Sequence, residues 1–160
     1  MQIRPFTPDD ADQIAQLFHD TIRTVNRQDY TPEQVAAWAP DNIHFQDWTA
    51  FCTRPITLVA DDAGTIAGFA TLEPNGYLNC FYCHTQYQRR GVGSQLYTAL
   101  ETRALALGCD RLFTAASITA KPFFQRHGFT VIQEQTVTRR GVHFINFQME
   151  KWLVNGRMIR

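Results

Sequence analysis

The sequence predicts an α/β fold in which one central sheet carries helices on both faces. The chain contains two kinds of segment. In some, side chains alternate with the two-residue period of strands; in others, apolar residues recur every three or four positions, as they do in helices. In the middle of the chain, a strand-like segment, a glycine loop and a helix-like segment adjoin over residues 77–107. The predicted order is a strand, two helices, three strands, a helix, a strand, a helix and two strands, in a single domain covering residues 1–160.

Capping signals indicate where the helices begin. Thr7 and Pro8 have the residue types favoured at the N-cap and first helical position, so a helix follows the first strand. Thr31 and Gln34 predict the capping box of a second helix, which ends before Pro40. The polar segment 23–29 between these helices is predicted to be a loop. Further helical segments are predicted over residues 48–52, 94–107 and 120–126. The apolar face of the 94–107 helix is predicted to comprise Leu96, Leu100, Ala104 and Leu107.

Strands are predicted where short segments rich in β-branched and aromatic residues lie between turn residues. A hairpin is predicted at residues 61–64 and another at residues 139–141, because both segments contain glycine between two strand-like segments. The predicted strands cover residues 2–6, 56–60, 65–73, 77–83, 111–115, 130–138 and 142–151.

The loop at residues 88–94 is predicted to bind phosphate groups. The first N–H groups of a helix lack intrahelical partners, and the helix dipole adds partial positive charge there. Gly91 and Gly93 have no Cβ, so a phosphate can approach the backbone closely, and two arginines precede them. The loop has no Gly-Lys-Ser/Thr, and Leu96 stands where a dinucleotide fingerprint needs a third small residue. A surface turn with exposed arginines is the alternative interpretation.

The loop resembles the acetyl-coenzyme A loop of the GNAT superfamily of N-acetyltransferases. The family pattern Gln/Arg-x-x-Gly-x-Gly/Ala is matched by Gln88, Gly91 and Gly93. Residues 78–100 resemble the central strand, loop and helix of the family, and residues 121–129 resemble its later motif, a short helix ending in Gly-Phe. The YafP-type acetyltransferases form a branch that the chain resembles at residues 29–34, 38–40, 76–78, 116–120 and 123–124.

This resemblance implies a mixed, mostly antiparallel sheet of about seven strands, with a splay between the fourth and fifth strands. It also implies that acetyl-coenzyme A is the co-substrate and that its acetyl group passes directly to an amine. The backbone N–H of Cys83 would stabilise the oxyanion that develops during this transfer. The resemblance assigns the cofactor to Phe81, Tyr82, Cys83, Gln88, Arg89, Arg90, Gly91, Val92, Gly93, Ser94, Ser117 and Phe124.

The chain departs from the common family pattern at two positions. Phe124 stands where many members have a tyrosine that protonates the departing thiolate, and Ser117 stands where many have an asparagine that bonds the pantetheine. The candidates for the general acid are therefore Ser117 and Tyr82. The candidates for the general base are Tyr77, Glu73 and His84. An amine that is neutral at pH 7 would need no protein base.

The resemblance places the acceptor between the first two helices and the last hairpin. Its expected lining residues are Arg23, Tyr30, Trp38 and His143. Aromatic lining favours a small apolar or aromatic amine, although Tyr30 and Trp38 can equally be packing residues. Transfer to a protein lysine or an N-terminal amine is an alternative function. A non-catalytic acyl-coenzyme A binding protein and transfer of another acyl group, such as succinyl, are further alternatives.

Composition restricts the partners and the location. The formal net charge is zero and no basic run exceeds two residues, so neither nucleic acid nor an anionic membrane is an expected partner. The N-terminal residues lack an apolar signal core, which predicts a cytoplasmic protein. Cys80 and Cys83 lie three residues apart in a predicted strand and should point to opposite faces, so no metal site is expected. Twelve phenylalanines are compatible with either a rich core or a homodimer.

Overall fold

A computed structural model describes residues 1–153 of the chain. The strands are β1 (Gln2–Pro5), β2 (Ile56–Asp62), β3 (Thr65–Leu72), β4 (Tyr77–Cys83), β5 (Arg111–Ser117), β6 (Thr130–Arg139) and β7 (Val142–Trp152). The α-helices are α1 (Ala11–Thr24), α2 (Pro32–Trp38), α3 (Trp48–Thr53), α4 (Val92–Ala106) and α5 (Lys121–Arg126). This order agrees with the order predicted from the sequence when the short helical segment predicted at residues 48–52, here α3, is counted with the first two helices. Residues 154–160, which would complete the predicted single domain, lie outside the described residues.

The strands form a mixed sheet of seven strands in the order β1-β2-β3-β4-β5-β7-β6. Neighbouring strands are antiparallel except β4 and β5, which are parallel. The predicted mixed, mostly antiparallel sheet is therefore confirmed. No helix within residues 1–153 is both long enough and apolar enough to cross a membrane.

The parallel strands β4 and β5 pair only at their beginnings. Their register comprises two pairs, Tyr77 with Phe113 and Leu78 with Thr114. Just beyond this point, the β3–β4 register shifts, and the N–H of Cys80 donates to the Thr71 hydroxyl at 3.0 Å. A bulge of this kind bends the strand that contains it. The rest of β4 therefore diverges from β5, and the predicted splay is present.

Each face of the sheet carries its own apolar core. On one face, α4 and α5 pack with side chains that include Leu58, Leu72, Leu78, Leu96, Leu100, Leu112 and Met149. On the other, α1, α2 and α3 pack with side chains that include Ile14, Ile22, Trp38, Trp48, Val59, Ile66 and Phe69. Each fully buried leucine or isoleucine contributes about 2 kcal/mol relative to an exposed one. Helices on both faces of the sheet, as the sequence predicts, are thus confirmed.

Two local predictions were wrong. The segment 23–29 is not a loop, because α1 continues to Thr24 and a 3₁₀ turn follows at Asn26–Gln28. Its polar residues lie beside the splay, so their polarity reflects the lining of a cleft. Leu107 does not belong to the buried face of α4, since it is the C-cap residue and remains 48% exposed. The capping box of α2 is confirmed, with Gln34 N–H donating to Thr31 Oγ1 at 3.1 Å.

Candidate active site

The splay between β4 and β5 opens into a cleft of about 560 Å³. One end of the cleft adjoins the N-terminus of α4 and the helix α5, and the other adjoins the α1–α2 connection and the last hairpin. Its lining residues at the first end include Arg89, Gly91, Val92, Gly93, Ser94, Phe123 and Arg126. Its lining residues at the second end include Thr21, Asn26, Asp29, Tyr30, Trp38, Arg139, Phe144 and Asn146. The middle is formed by the separated backbones of the two strands.

The edge of β4 presents backbone groups to this cleft. The N–H of His84 donates to the carbonyl of Ala67 at 2.8 Å, and Tyr82 is paired with Phe69 in the β3–β4 register. Successive residues of an antiparallel strand direct their N–H groups to opposite sides. The N–H groups of Phe81 and Cys83 therefore face the gap toward β5. An extended ligand can hydrogen-bond to this edge as an added strand would.

Two side chains hold the end of β4 in place. The carbonyl of Cys83 accepts a hydrogen bond from Thr21 Oγ1 and another from Gln88 Nε2, each at 2.8 Å. Gln88 lines the cleft, but its amide is engaged with the strand that the loop follows. Its role in this geometry is to fix the loop relative to β4. The sequence analysis missed Thr21 because its partner, Cys83, lies 62 residues away in the chain.

The loop before α4 has a backbone suited to an anion. Arg89 and Gly91 both have positive φ values, 61° and 80°, so the N–H groups of the loop do not follow the direction of an extended chain. Gln95 N–H is the first to find a helical acceptor, at Gly91 O, which leaves the N–H groups of residues 92–94 without intrahelical partners. Such groups, with the helix dipole, form a common phosphate site.

The two glycines of this loop serve different purposes. A Cβ on Gly91 would meet no atom within 4 Å, so glycine is favoured there by the left-handed backbone alone. A Cβ on Gly93 would lie 2.9 Å from Phe123 Cε1, so this glycine permits α5 to approach α4. Arg89 lines the cleft, whereas Arg90 lies outside it, with its guanidinium 4.7 Å from the Tyr87 ring centre.

An aromatic wall lies between the loop and the strands. Phe81 stands 5.1 Å from Phe123 and 5.7 Å from Phe124, measured between ring centres. Phe124 is buried and has no hydroxyl group, so it contributes an apolar surface and no proton. This wall suits the apolar part of a ligand whose polar backbone groups bond the β4 edge.

Ser117 lies at the end of β5, where the cleft widens. Its hydroxyl oxygen accepts a hydrogen bond from Ala120 N–H at 3.0 Å and lies 3.5 Å from Asn26 Nδ2. Both contacts use the oxygen as acceptor, so the hydroxyl proton can be directed into the cleft. Asn26 was missed because its segment was predicted to be a loop.

Aromatic rings surround the second end of the cleft. Trp38 lies 5.3 Å from Tyr30, 6.0 Å from Phe144 and 6.5 Å from Tyr82, between ring centres. Tyr30 donates to the carbonyl of Ile145 at 2.7 Å and accepts from the N–H of Ile118 at 2.9 Å, so its hydroxyl ties three segments together. Burial raises the pKa of Tyr82 well above its usual range, so this hydroxyl stays protonated.

Besides Arg90, three expected site residues lie outside the cleft. Arg23 donates to the carbonyl of Ala39 at 2.7 and 2.9 Å and pairs with Asp41. His143 is exposed, because alternation along β7 directs its neighbour Phe144 inward. Tyr77 packs against Phe113 at 5.2 Å, and burial raises its pKa, so less tyrosinate is available to act as a base near neutral pH than in a free tyrosine.

The other two candidates for the base are already engaged. Glu73 accepts two hydrogen bonds from Arg54, at 2.9 and 3.0 Å. His84 accepts from the N–H of Gln86 through Nδ1 at 3.0 Å. Neither side chain is directed at the cleft by these contacts. Within the described residues, the cleft thus brings together the cofactor residues expected from the sequence, Arg90 excepted, with Tyr30 and Trp38.

The cysteines behave as buried side chains. Cys80 belongs to the core under α1 and Cys83 packs against the core under α4, so the prediction that they point to opposite faces is confirmed. Burial raises the pKa of each thiol to about 12. Within residues 1–153, no three His, Cys, Asp or Glu side chains are grouped to hold a metal ion.

The fold and the cleft define an acyltransferase of the GNAT type, and comparison with known proteins agrees. The family model described as an acetyltransferase (GNAT) domain matches residues 26–151. The chain therefore belongs to the GNAT acetyltransferase family. It is 34% identical over 149 residues to the uncharacterized N-acetyltransferase YafP of Escherichia coli K12, covering 93% of this chain and 94% of that protein.

Solved structures show the same architecture. A GCN5-related N-acetyltransferase from Rhodopseudomonas palustris superposes with a TM-score of 0.89 at 34% identity, over 95% of each chain. The PaiA N-acetyltransferase of Thermoplasma acidophilum, solved with coenzyme A, superposes with a TM-score of 0.79 at 18% identity, over 95% of this chain and 98% of that one.

Proposed function

We propose that this enzyme transfers the acetyl group of acetyl-coenzyme A directly to the amine of a small molecule. The observation that carries the proposal is the continuous path from the unpaired edge of β4 to the N-terminus of α4. A backbone edge and a phosphate-binding helix end, joined by one short loop, match the two halves of coenzyme A. The Thermoplasma relative of the same fold was solved with coenzyme A, which supports this proposal.

In this proposal, the pyrophosphate binds the N–H groups of residues 92–94 beside Arg89. The pantetheine extends along β4, where it accepts from and donates to the free backbone edge and contacts Phe81 and Phe124. The thioester carbonyl then lies at the N–H of Cys83. A preorganised N–H donor of this kind stabilises a developing oxyanion by roughly 3 kcal/mol.

The amine attacks the thioester carbon, and the C–S bond breaks as the carbonyl re-forms. The new C–N bond leaves an excess proton on nitrogen and a thiolate on the cofactor. We assign proton donation to the thiolate to Ser117, because Phe124 has no proton to donate and Tyr82 is directed to the opposite face of the sheet from Phe81. Ser117 takes a replacement proton from solvent in the open cleft, so its hydroxyl is restored. Since Tyr77 lies outside the cleft, the proton of the amine passes to solvent through the open acceptor end.

The acceptor end favours a small molecule over a protein. Trp38, Tyr82 and Phe144 enclose it with aromatic rings, and the hydroxyl of Tyr30 ties the α1–α2 connection to both β5 and β7. An extended peptide groove would need a longer open surface at this point. A single domain over residues 1–160, a cytoplasmic location and a homodimer remain predictions from the sequence.

The first test is calorimetric titration of acetyl-coenzyme A into wild type, Gly91→Trp and Gly108→Trp. Both glycines have φ of 80° and open space beyond them, but Gly91 precedes α4 and Gly108 follows it. The two variants carry the same backbone strain, and only Gly91→Trp fills the phosphate site. We expect wild type and Gly108→Trp to bind and Gly91→Trp to lose binding.

The second test is release of free thiol from acetyl-coenzyme A in the presence of primary amines. Turnover with at least one small amine is expected. In the calorimetric test, equal binding of acetyl-coenzyme A by wild type, Gly91→Trp and Gly108→Trp would overturn the assignment of the phosphate site. Tight cofactor binding without thiol release by any amine would instead identify a non-catalytic acyl-coenzyme A binding protein.

A further inference from the structure

One face of the last hairpin forms a wall of the acceptor end. Val137 and Arg139 of β6 and Phe144 and Asn146 of β7 all line the cleft. Val137 is paired with Phe144, and the four residues occur at alternating positions of the two strands, so they share one face. We refer to these four residues as the hairpin wall. It presents an amide at one end, apolar side chains in the middle and a guanidinium at the other end.

The guanidinium of Arg139 has no anionic partner among the described residues. No hydrogen bond or ion pair joins it to another side chain in residues 1–153, and its nearest aromatic contact is Trp38, with 5.9 Å from the guanidinium carbon to the ring centre. The neighbouring Arg140 differs, because it donates to the carbonyl of Ala37 at 2.6 Å and lies outside the cleft. Arg139 is thus an exposed cation that lines the cleft and whose charge is paired with no described group.

The amide of Asn146 also has free capacity. Its oxygen accepts from Gln135 at 2.9 Å, while its nitrogen donates to no described residue. Asn146 is only 7% exposed. Every fully buried polar side-chain atom of the described residues has a hydrogen-bond partner, so the Asn146 nitrogen, which has none, is not fully buried. Its NH₂ group must therefore reach the cleft. Both polar ends of the hairpin wall consist of donors, which recognise acceptor oxygens on a ligand.

Aromatic rings connect Arg139 to the reacting end. Trp38 contacts Arg139 on one side and Tyr82 on the other, and Tyr82 is the residue before Cys83. Asp29 is the acidic residue that lines the same end, and it accepts from Thr119 Oγ1 at 2.8 Å rather than pairing with Arg139.

We propose that the acceptor is a small amine that carries a carboxylate on an aromatic or apolar spacer. Arg139 binds the carboxylate at the outer end of the hairpin wall, the spacer lies against Trp38 and Phe144, and the amine lies at the N–H of Cys83. A guanidinium fits a carboxylate through two parallel hydrogen bonds. This inference rests on the proposed function, because it names the acceptor of that same site.

The test compares 4-(aminomethyl)benzoate with benzylamine, two amines of similar basicity that differ in the carboxylate. Thiol release from acetyl-coenzyme A is measured with wild type, Arg139→Gln and Arg140→Gln. Wild type is expected to prefer the carboxylate in kcat/KM by about 10-fold or more. Arg139→Gln should raise the KM for 4-(aminomethyl)benzoate by about 10- to 100-fold and change that for benzylamine by less than about threefold. Arg140→Gln, which removes the same charge outside the cleft, should keep the preference.

A wild type that turns over both amines equally, or a loss in Arg139→Gln that is the same for both, overturns the carboxylate assignment and leaves the proposed function intact. A second measurement does not depend on turnover. The unreactive 4-(hydroxymethyl)benzoate is titrated into the coenzyme A complex of wild type and of Arg139→Gln. Binding that requires Arg139 without thiol release from any amine would retain the carboxylate site and overturn the transferase. If neither Arg139-dependent binding nor thiol release is observed, both the carboxylate site and the transferase are overturned.

Discussion

At the scale of single residues, the proposed mechanism uses the backbone of Cys83 rather than its thiol. Its side chain packs against the α4 core, and burial raises the pKa of the thiol to about 12, so no thiolate is present near neutral pH. Its carbonyl is held by Thr21 and Gln88, which fixes the Cys83–His84 peptide group, directly after the peptide group that carries the Cys83 N–H. In the proposed mechanism, the chemistry at this position therefore depends on the backbone geometry of the strand and not on the residue type.

We expect Cys83→Ala to keep kcat within about threefold of wild type, since the oxyanion donor is retained. The lost sulfur should lower the free energy of unfolding by about 1 kcal/mol. Thiol-release kinetics and urea unfolding measure the two quantities. Cys80→Ala is the control, because Cys80 is buried on the opposite face. A fall in kcat beyond tenfold with unchanged cofactor affinity would show that the thiol takes part in catalysis.

Removal of the Ser117 hydroxyl tests its proposed role as the general acid. Ser117→Ala should lower kcat by about 100-fold, the lower end of the range for a general acid. Part of the loss could come from the start of α5, where Ala120 N–H uses the same oxygen. A rescue separates the two causes. Phe124→Tyr in the Ser117→Ala background places a hydroxyl on a ring that lines the cleft, and it should restore at least tenfold in kcat. A loss that this second change leaves untouched would assign Ser117 a purely structural role.

The loop before α4 could be located from the sequence because a loop between a strand and a helix is a local feature. Arg23 and His143 could not be oriented in the same way. Arg23 turns to the carbonyl of Ala39, and His143 faces away from the cleft because its neighbour Phe144 faces inward. Arg139 was assigned to a hairpin turn, and only the tertiary fold brings it over Trp38.

At the scale of elements, the start of β4 determines whether the cleft exists. The carbonyl of Gly76 accepts from the N–H of Phe113 at 3.0 Å, which joins β4 to β5 just before they separate. This junction and the bulge at Cys80 act together, since one holds the strands and the other bends them apart. The helices on each face then cover the diverging strands without closing the gap.

Replacement of Gly76 should therefore be costly. A Cβ at this position would lie 2.1 Å from the carbonyl oxygen of Arg111, and φ is already 96°. We expect Gly76→Ala to lower the free energy of unfolding by about 3 kcal/mol or more, because strain and a backbone clash combine. Gly64 has the same φ of 96° with no atom within 4 Å, so Gly64→Ala should cost only about 1 kcal/mol. Equal losses in urea unfolding would show that the clash at β5 relaxes without cost.

The order of the elements was predictable because periodicity and capping residues act over a few positions. The segment 23–29 was not, since Asn26 is buried and polar and its environment comes from β5 rather than from its neighbours. Composition therefore indicated a surface loop where the fold places a lining of the cleft. The prediction that Leu107 belongs to the buried face of α4 was wrong for a similar reason, because Leu107 continues the apolar pattern one residue beyond the end of the helix.

At the scale of the whole molecule, one charged cluster joins the edge of the sheet to the first helix. Arg4 of β1 donates to Asp10 at 2.8 and 2.9 Å and to Asp61 of β2 at 3.0 Å. The N–H of Thr7 donates to the same carboxylate of Asp10 at 2.8 Å. One guanidinium thus serves two carboxylates, so the cluster carries a formal charge of −1. It lies far from the cleft in the sheet order, so its removal tests stability without touching the site.

The pH dependence of stability should follow Asp10. Burial raises the pKa of this carboxyl, but hydrogen bonds from Arg4 and Thr7 outweigh burial and hold the pKa below its usual range. A pKa lower in the folded state than in the unfolded chain means that the contribution is complete above about pH 4. It is lost as pH falls through the folded-state pKa, because both states are then protonated.

We therefore expect Asp10→Asn to lower the free energy of unfolding by about 2 kcal/mol at pH 7, the scale of hydrogen bonds to a charged group. The difference from wild type should narrow as the pH is lowered from 4 toward 2, and urea unfolding across this range measures it. Asp9→Asn is the matched control, since Asp9 is exposed and should change stability by less than about 0.5 kcal/mol at any pH. A difference between Asp10→Asn and wild type that stays constant down to pH 2 would show that the hydrogen-bond geometry, and not the charge of Asp10, secures the first strand.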